Sequence, residues 1–453
     1  MFKSTFFGIV SVFVVCNFLW TLHFLNTKNY FHNKSPNISL IAAAQASKNL
    51  LDDRITNEIV VPKKTKVSVY YPYNLAFSDI NSELGRWDNQ RLYKIFDFAL
   101  VGDRFAKLSA SSVVSLATQS SIERLYSIVQ VSKHWSGPIS LAVFVSDNEE
   151  FFILQNYVTY LRLCFDFIND NISFHVLVPQ STSPLNTSQK HFAYTTSFDC
   201  HSPKVTLSKM LKTRTVESLK WRLRNVYPQN HLRNLARKGC QTKYVFLTDV
   251  DIVPSENIFT HLSVFLRGTN CLKMCAFVIP TYEIDSRAKF PGDKVELLRL
   301  VKKNLARPFH ENVFIYNQYA TNFSRWQKDS RSDLDTFISH NVTNFEFLYE
   351  PFYVAPDDSP PHDERFLGYG FTRNSQVYEM FIAGYTFHVL SPLFTCHWGL
   401  QMKKMKPAWR EKQNNINRKR FESFKREILA RYGKDNSSPL AQKSIKTKSC
   451  TRK

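Results

Sequence analysis

The triplet Asp249-Val250-Asp251 closes the apolar run Tyr244-Val245-Phe246-Leu247-Thr248 and precedes Ile252-Val253-Pro254-Ser255. A short run this apolar, rich in β-branched and aromatic residues, is the pattern of a strand buried on both faces of a parallel sheet. It points to an α/β architecture in which helices cover the sheet. Open α/β sheets bind ligands beyond the C-terminal ends of their strands, where these two carboxylates fall. In a strand, residues two apart point the same way, so both acids are expected to face one divalent cation. A hard cation with oxygen ligands and free positions suits a nucleotide diphosphate. The plain alternative, a solvated Asp-rich turn, fits the triplet taken alone.

The surrounding chain supports the sheet. Residues 113–118 read as a first strand, with Ser120 and Ser121 placed to cap a helix carrying Ile122, Leu125, Ile128 and Val129. Strands follow at 141–145 and 172–178, separated by a helical run at 151–165. A helix over 221–238 closed by Gly239, the strand at 244–248, a helix at 257–266 and a strand at 275–279 continue the alternation. The expected fold is a mainly parallel sheet with helices on both faces. No internal repeat is present, so one domain over residues 86–435 is the economical division. It ends in a basic amphipathic helix at 418–432, before a basic tail at 436–453.

Residues 6–25 carry no formal charge and have the length of a bilayer span. The apolar run exceeds a usual signal-peptide core and lacks a clear small-x-small cleavage site, so a signal anchor is favoured over a cleaved peptide. Residues 1–5 are then a cytosolic tail, and the polar segment 26–85 a stem before a lumenal body. Lys28 beyond the span weakens the charge evidence for this orientation. Sequons begin at Asn33, Asn37, Asn171, Asn186, Asn322 and Asn341. Seven of the eight cysteines lie outside the span, where an oxidising lumen would pair some of them, with connectivity unreadable. The net charge is +21. No nucleic-acid module accompanies it, so nucleic acid is not the expected partner; an anionic substrate or membrane surface is.

The segments Tyr227-Pro228-Gln229-Asn230-His231-Leu232-Arg233-Asn234-Leu235-Ala236-Arg237 and Thr248-Asp249-Val250-Asp251-Ile252-Val253-Pro254-Ser255 extend the signal well beyond a lone Asp-x-Asp. Val278-Ile279-Pro280-Thr281-Tyr282-Glu283-Ile284, Thr321-Asn322-Phe323-Ser324-Arg325-Trp326 and Glu350-Pro351-Phe352-Tyr353-Val354 follow in order, then Asp363-Glu364-Arg365-Phe366 with Tyr369-Gly370-Phe371. Over roughly residues 113–432 the chain resembles the glucuronyltransferases that act on dystroglycan-type glycans, in glycosyltransferase family 49. That group includes β-1,4-glucuronyltransferase and the second catalytic domain of the LARGE enzymes. The resemblance implies a GT-A fold, Mn²⁺ dependence, a UDP-sugar donor and inversion. It also implies a type II Golgi membrane protein taking part in protein O-glycosylation, with a glycan or glycoprotein acceptor.

On that expectation Asp249 and Asp251 hold Mn²⁺, joined by His397 in Thr395-Cys396-His397-Trp398-Gly399, where the family carries a His-x-Gly element. The family pattern places a Lys four residues beyond this His. Here Gln401 stands there, with Lys403 the nearest substitute for a phosphate contact. Arg233 and Asn234, one residue apart on a helix, are expected to reach donor hydroxyls and phosphate, and Arg237 to be a solvated neighbour. Thr118, with Gln119 and Ser120, falls where a uridine would rest, although a helix cap explains these residues equally. Inversion needs a base for the acceptor hydroxyl, and Asp363 or Glu364 is expected to provide it, with Glu283 and Glu350 weaker candidates. A glucuronyl carboxylate calls for an Arg or Lys, either Arg325 or Lys403. Trp326, Phe352, Tyr353, Tyr369 and Phe371 could stack on acceptor sugars, or be core. UDP-GlcA with a terminal xylose acceptor is the leading expectation; UDP-GlcNAc, UDP-xylose or an inactive glycan-binding protein are its rivals.

Overall fold

The apolar runs become four neighbouring parallel strands: Tyr244–Leu247, Val114–Ser121, Ile139–Phe144 and Ile172–Pro179. The computed structural model describes residues 60–71, 75–81, 83–182, 194–269, 274–329, 335–402 and 407–434, within the unit Arg54–Lys453. Every residue of Ile139–Phe144 and of Ile172–Pro179 is buried, which accounts for the near absence of polar alternation in those segments.

These strands form the middle of a ten-stranded sheet. Beyond Ile172–Pro179 it adds Tyr93–Leu100 and Arg86–Trp87; beyond Tyr244–Leu247 it adds Phe352–Pro356, Cys275–Ile279, Thr386–Ser391 and Phe337–Asn341. Phe352–Pro356 is antiparallel to both its neighbours, and Tyr93–Leu100 and Phe337–Asn341 also run against the strands beside them. The sheet is therefore mixed, parallel at its centre and antiparallel toward its flanks, rather than mainly parallel throughout. A four-stranded sheet of Ala306–Pro308, Thr281–Ile284, Thr395–Trp398 and Ile252–Pro254 stands beside it.

Side-chain alternation divides the central strands between two apolar layers. Ala117, Ala142, Phe144, Leu177, Val245 and Leu247 meet Leu232, Leu235 and Ala236 of the helix Gln229–Lys238. Leu116, Leu141, Val143 and Phe246 turn the other way, toward a cluster with Ile128, Trp135, Leu154 and Leu262. Helices thus cover both faces, and each fully buried Leu or Phe contributes roughly 1.5–3 kcal/mol relative to exposure. The Gln229–Lys238 helix sits so close that a Cβ on Gly239, its C-cap, would lie 2.2 Å from His175 Nε2 and 2.4 Å from Ser140 Oγ. Only glycine fits there.

Several expectations change. The helix expected over 221–238 is two helices, Val216–Arg224 and Gln229–Lys238, because Pro228 cannot continue the hydrogen-bond ladder. Ser121 makes no side-chain cap and belongs to the strand. Within the segment read as stem, Lys66–Tyr71 is a strand paired antiparallel with Tyr194–Asp199. The C-terminal helix is longer than expected, Ala408–Arg431. Cys164 and Cys200 form a disulfide, Cys275 is disulfide-bonded as well, and Cys240 and Cys396 are free and buried. Asn171 is buried and donates from Nδ2 to Ser136 O at 3.2 Å, so that sequon is used by the fold; Asn322 and Asn341 are exposed. No helix among the described residues is long and apolar enough to cross a membrane. Residues 1–5, the apolar stretch 6–25, the tail 436–453 and the sequons at Asn33, Asn37 and Asn186 lie outside the described residues.

Candidate active site

Asp249 and Asp251 are brought together by a turn, not by strand alternation. The strand ends at Leu247, Ile252 N donates to Asp249 O at 3.0 Å, and the chain re-enters a strand at Ile252. Both carboxylates line one cavity of about 370 Å³, with Gln119, Ser120, Ser121, Arg124, Arg222 and Tyr227. Asp249 Oδ1 receives Gln119 Nε2 at 3.2 Å and Arg233 Nη2 at 3.2 Å, and pairs with Arg373 Nη2 at 2.9 Å. All three partners fall on Oδ1. Burial disfavours the charged form, but Arg373, Arg233 and the Gln119 amide outweigh it and hold the Asp249 carboxyl well below the usual range.

The smaller sheet delivers His397. In the antiparallel pairing of Thr395–Trp398 with Ile252–Pro254, His397 lies opposite Ile252, next to Asp251. His397 Nε2 is 3.7 Å from Asp251 Oδ2, and burial of Asp251 is again outweighed, here by His397, so that its carboxyl is also lowered. His397 Nδ1 is buried with no hydrogen-bond partner. Asp251 and His397, at a spacing too long for a direct hydrogen bond, could hold a divalent cation, with the ionised Asp249 lining the same cavity as Asp251. On its other side His397 aligns with Glu283 in a parallel pairing. The fully buried Glu283 carboxylate accepts from His310 N, Arg307 Nε and Gln401 N, each at 3.0 Å. It fixes the backbone at His310 and at Gln401, four residues past His397, consistent with a hydrogen-bonding role.

Arg124 and Arg222 also line the cavity, Arg222 as the ion-pair partner of two acids. Arg222 Nε donates to Glu150 Oε1 at 2.6 Å, and Arg214 Nη1 reaches Glu123 at 2.5 Å and Glu150 at 3.0 Å. Burial acts against Glu123, but Arg222 and Arg214 bring its carboxyl down to about 2. Tyr227 donates to Gln119 Oε1, so the cavity floor is hydrogen-bonded to the residue that holds Asp249.

Other expected site residues lie elsewhere or are already engaged. Thr118 is fully buried and Gln119 takes its place in the cavity, as expected where adjacent strand residues face opposite sides. Arg233 faces Asp249, whereas Asn234, the next residue, points to a loop. Its Oδ1 accepts His362 N at 2.8 Å, and its Nδ2 donates to His362 O at 2.8 Å and Glu364 Oε1 at 3.0 Å. That amide is a loop clamp rather than a donor contact. Arg237 extends the clamp, reaching Pro360 O at 2.9 Å.

Asp363 and Glu364 line a different cavity, of about 500 Å³, which shares no lining residue with that of Asp249 and Asp251. Asp363 is also held by Arg365, with Nη2 at 2.6 Å from Oδ2. The geometry therefore gives the base assignment to these two acids no support. Glu350 is electrically coupled to the residues around Asp249: burial raises its pKa, Arg373 and Arg233 lower it, and Asp249 raises it. Arg325 is exposed and lines a third cavity with Tyr319, Asn322 and His340. Trp326 is fully buried and donates to Leu390 O, with Lys294 above its ring; Phe352, Tyr353 and Phe371 are buried too. These four aromatics are core. Lys403 lies outside the described residues.

Sequence reasoning missed Arg373, Arg222 and Arg124. Arg373 lies two residues past the Tyr369-Gly370-Phe371 motif and directly precedes the helix Asn374–Ala383, the one available signal. Arg222 and Arg124 carry none beyond charge.

A sequence model of the family described as "Glycosyl-transferase for dystroglycan" matches residues 113–433. A Bos taurus protein named Beta-1,4-glucuronyltransferase 1 is 33% identical over 325 residues, covering 70% of this chain and 76% of that protein. A Mus musculus protein named Xylosyl- and glucuronyltransferase LARGE2 is 27% identical over 287 residues, covering 63% of this chain and 34% of its own length. The solved structure of GalNAc-T7 with UDP, GalNAc and Mn²⁺ overlaps 73% of this chain and 53% of that one. Its TM-score is 0.37 at 8% identity, a likeness too distant to build on.

Proposed function

The chain belongs to the dystroglycan-type glycosyltransferase family, and from that premise we propose that it transfers glucuronic acid from UDP-GlcA to a glycan acceptor with inversion. The observation that carries this reading is that Asp249 and Asp251 line one cavity, with His397 Nε2 3.7 Å from Asp251 and Arg233 and Arg373 behind Asp249. In the proposal the fold is of the GT-A type, and Asp249, Asp251 and His397 hold Mn²⁺. Bound Mn²⁺ would neutralise negative charge growing on the departing UDP oxygen. Arg124 gives the donor cavity a positive side chain for phosphate, and Gln119 and Tyr227 line it beside Asp249. The disulfide Cys164–Cys200 supports a lumenal, oxidising compartment, reached as a Golgi type II protein through a membrane anchor at residues 6–25.

Glu350 takes the role of base in this proposal. A carboxyl raised by burial is a stronger proton acceptor once ionised, and it shares the fields of Asp249, Arg233 and Arg373. Glu350→Gln is expected to lower kcat by about 10²–10⁴-fold and to remove the acid limb of the pH–rate profile. An unchanged profile defeats the assignment. Asp363→Asn, remote from the donor cavity, is expected to keep kcat within a few-fold of wild type in the same assay.

In this proposal Arg373 reads the donor's C6 carboxylate. Its guanidinium is 5% exposed and stacks over Phe352 at 4.3 Å, so it is oriented before any ligand arrives. A donor panel scored by UDP release tests this. UDP-GlcA should exceed UDP-GlcNAc and UDP-xylose, and Arg373→Lys should lower kcat/KM for UDP-GlcA by roughly 10–100-fold, since Lys lacks the paired donors. Equal loss for all three donors would make Arg373 a phosphate or scaffold residue instead.

A further inference from the structure

We propose that Asp88, His231 and Glu364 form a second divalent-cation site, separate from the donor cavity and suited to zinc. Three distant segments bring these ligands together: the turn after Arg86–Trp87, the helix Gln229–Lys238 and the loop that Asn234 clamps. His231 Nε2 lies 3.5 Å from Asp88 Oδ2 and 3.6 Å from Glu364 Oε2, and the three ligand atoms all fall within 4.8 Å of one another. Zinc holds N and O ligands at about 2.0–2.2 Å in a tetrahedron, whose edges are then about 3.3–3.6 Å. The two distances from the imidazole match that edge and are long for direct hydrogen bonds.

The imidazole points to a ligand independently of the acids. Its side chain is 1% exposed, yet neither ring nitrogen has a hydrogen-bond partner. A buried polar group left in that state is rare in folded proteins. Its ring is held edge-on to Tyr93 at 4.9 Å, so its direction is fixed. Both acids are oriented as metal ligands usually are. Asp88 accepts Tyr93 N at 2.7 Å and Gln90 N at 3.2 Å, and Glu364 Oε1 accepts Asn234 Nδ2 at 3.0 Å.

Glu364, 28% exposed, is the rim of the site. It opens onto the 500 Å³ cavity beside Asn89, Gln90 and Asn234, leaving a route for the ion and a fourth position for water. Imidazole nitrogen and carboxylate oxygen are both zinc donors, and three protein ligands with an open fourth position is a known zinc arrangement. An ion here would staple the loop bearing Asp363 and Glu364 to the helix whose Arg233 holds Asp249. The competing arrangement is a protonated His231 between two acids, with no metal.

The test uses the full chain in detergent, carrying Asp251→Asn and His397→Gln so that the donor cavity does not compete. After chelator treatment it is titrated with zinc chloride, and bound metal is counted by mass spectrometry beside calorimetric affinity and thermal unfolding. One zinc per chain and a zinc-dependent rise in melting temperature are expected. Glu364→Gln, at the rim and tolerant of folding, should weaken zinc by at least about tenfold; His231→Gln should abolish binding and the thermal shift. Absence of zinc from the parent overturns the proposal, as does a Glu364→Gln variant that binds zinc as tightly as its parent.

Discussion

Asp251→Asn should remove metal-dependent UDP release and leave the fold intact, whereas Asp249→Asn should remove both. The difference comes from what each carboxylate holds. Among the described residues the one ion-pair partner of Asp251 is His397, at 3.7 Å, and its side chain is one-third exposed. Asp249 is the counter-charge for Arg233 and Arg373, both about 5% exposed. Loss of one preorganised electrostatic contact costs about 10²–10³ in kcat, and loss of a metal ligand should cost at least that. Breaking a buried ion pair from one side costs about 3–5 kcal/mol, because the partner charge stays buried. Asp249→Asn is thus expected to lower the denaturant midpoint, while Asp251→Asn keeps it near wild type. The pH dependence has a definite sign. The Asp249 pKa is depressed in the folded chain, so its stabilisation is complete above the unfolded value of about 3.9 and is lost as pH falls through the folded value. The stability gap between wild type and Asp249→Asn should therefore close in acid. Two variants with wild-type turnover would remove the metal assignment; equal stability in both would remove the counter-charge argument.

The second large effect is expected at Glu283, which contacts no substrate in the proposal. Its carboxylate is fully buried and receives His310 N, Arg307 Nε and Gln401 N. Glu283→Gln turns one acceptor oxygen into a donor facing donors and leaves Arg307 without its counter-charge. A loss of about 3–5 kcal/mol is expected from urea unfolding. Because Glu283 also pairs in register with His397, Mn²⁺ affinity should fall with it. A variant with reduced stability but wild-type Mn²⁺ affinity would show that the His397 loop is set by the sheet alone.

What the sequence disclosed followed physical periodicity. The parallel centre was legible because strands buried on both faces read as apolar runs, and the nearness of Asp251 to Asp249 and His397 was legible because strand ends and motif order marked them. The antiparallel insertion of Phe352–Pro356 was not, since strand direction depends on pairing across more than a hundred residues and leaves no local trace. Arg233 and Asn234 show the limit most clearly. Adjacent on one helix, they diverge by about 100°, one onto Asp249 and the other onto the His362 backbone. Motif membership could not separate them. The acids at 363 and 364 misled for a similar reason: the loop that carries them is clamped onto the far side of that helix, and nothing in their own neighbourhood reports it.

The ladder between Thr395–Trp398 and Ile252–Pro254 places Cys396 opposite Val253, directly before the histidine. Successive strand residues alternate sides, so a one-residue slip would swing the imidazole away and offer a sulfur instead. Thiolates select soft ions where imidazole and carboxylates accept harder ones. If His397 holds the metal as proposed, register in a few backbone hydrogen bonds would act as an ion filter, and a bulge engineered there should trade manganese for zinc or copper before it unfolds anything.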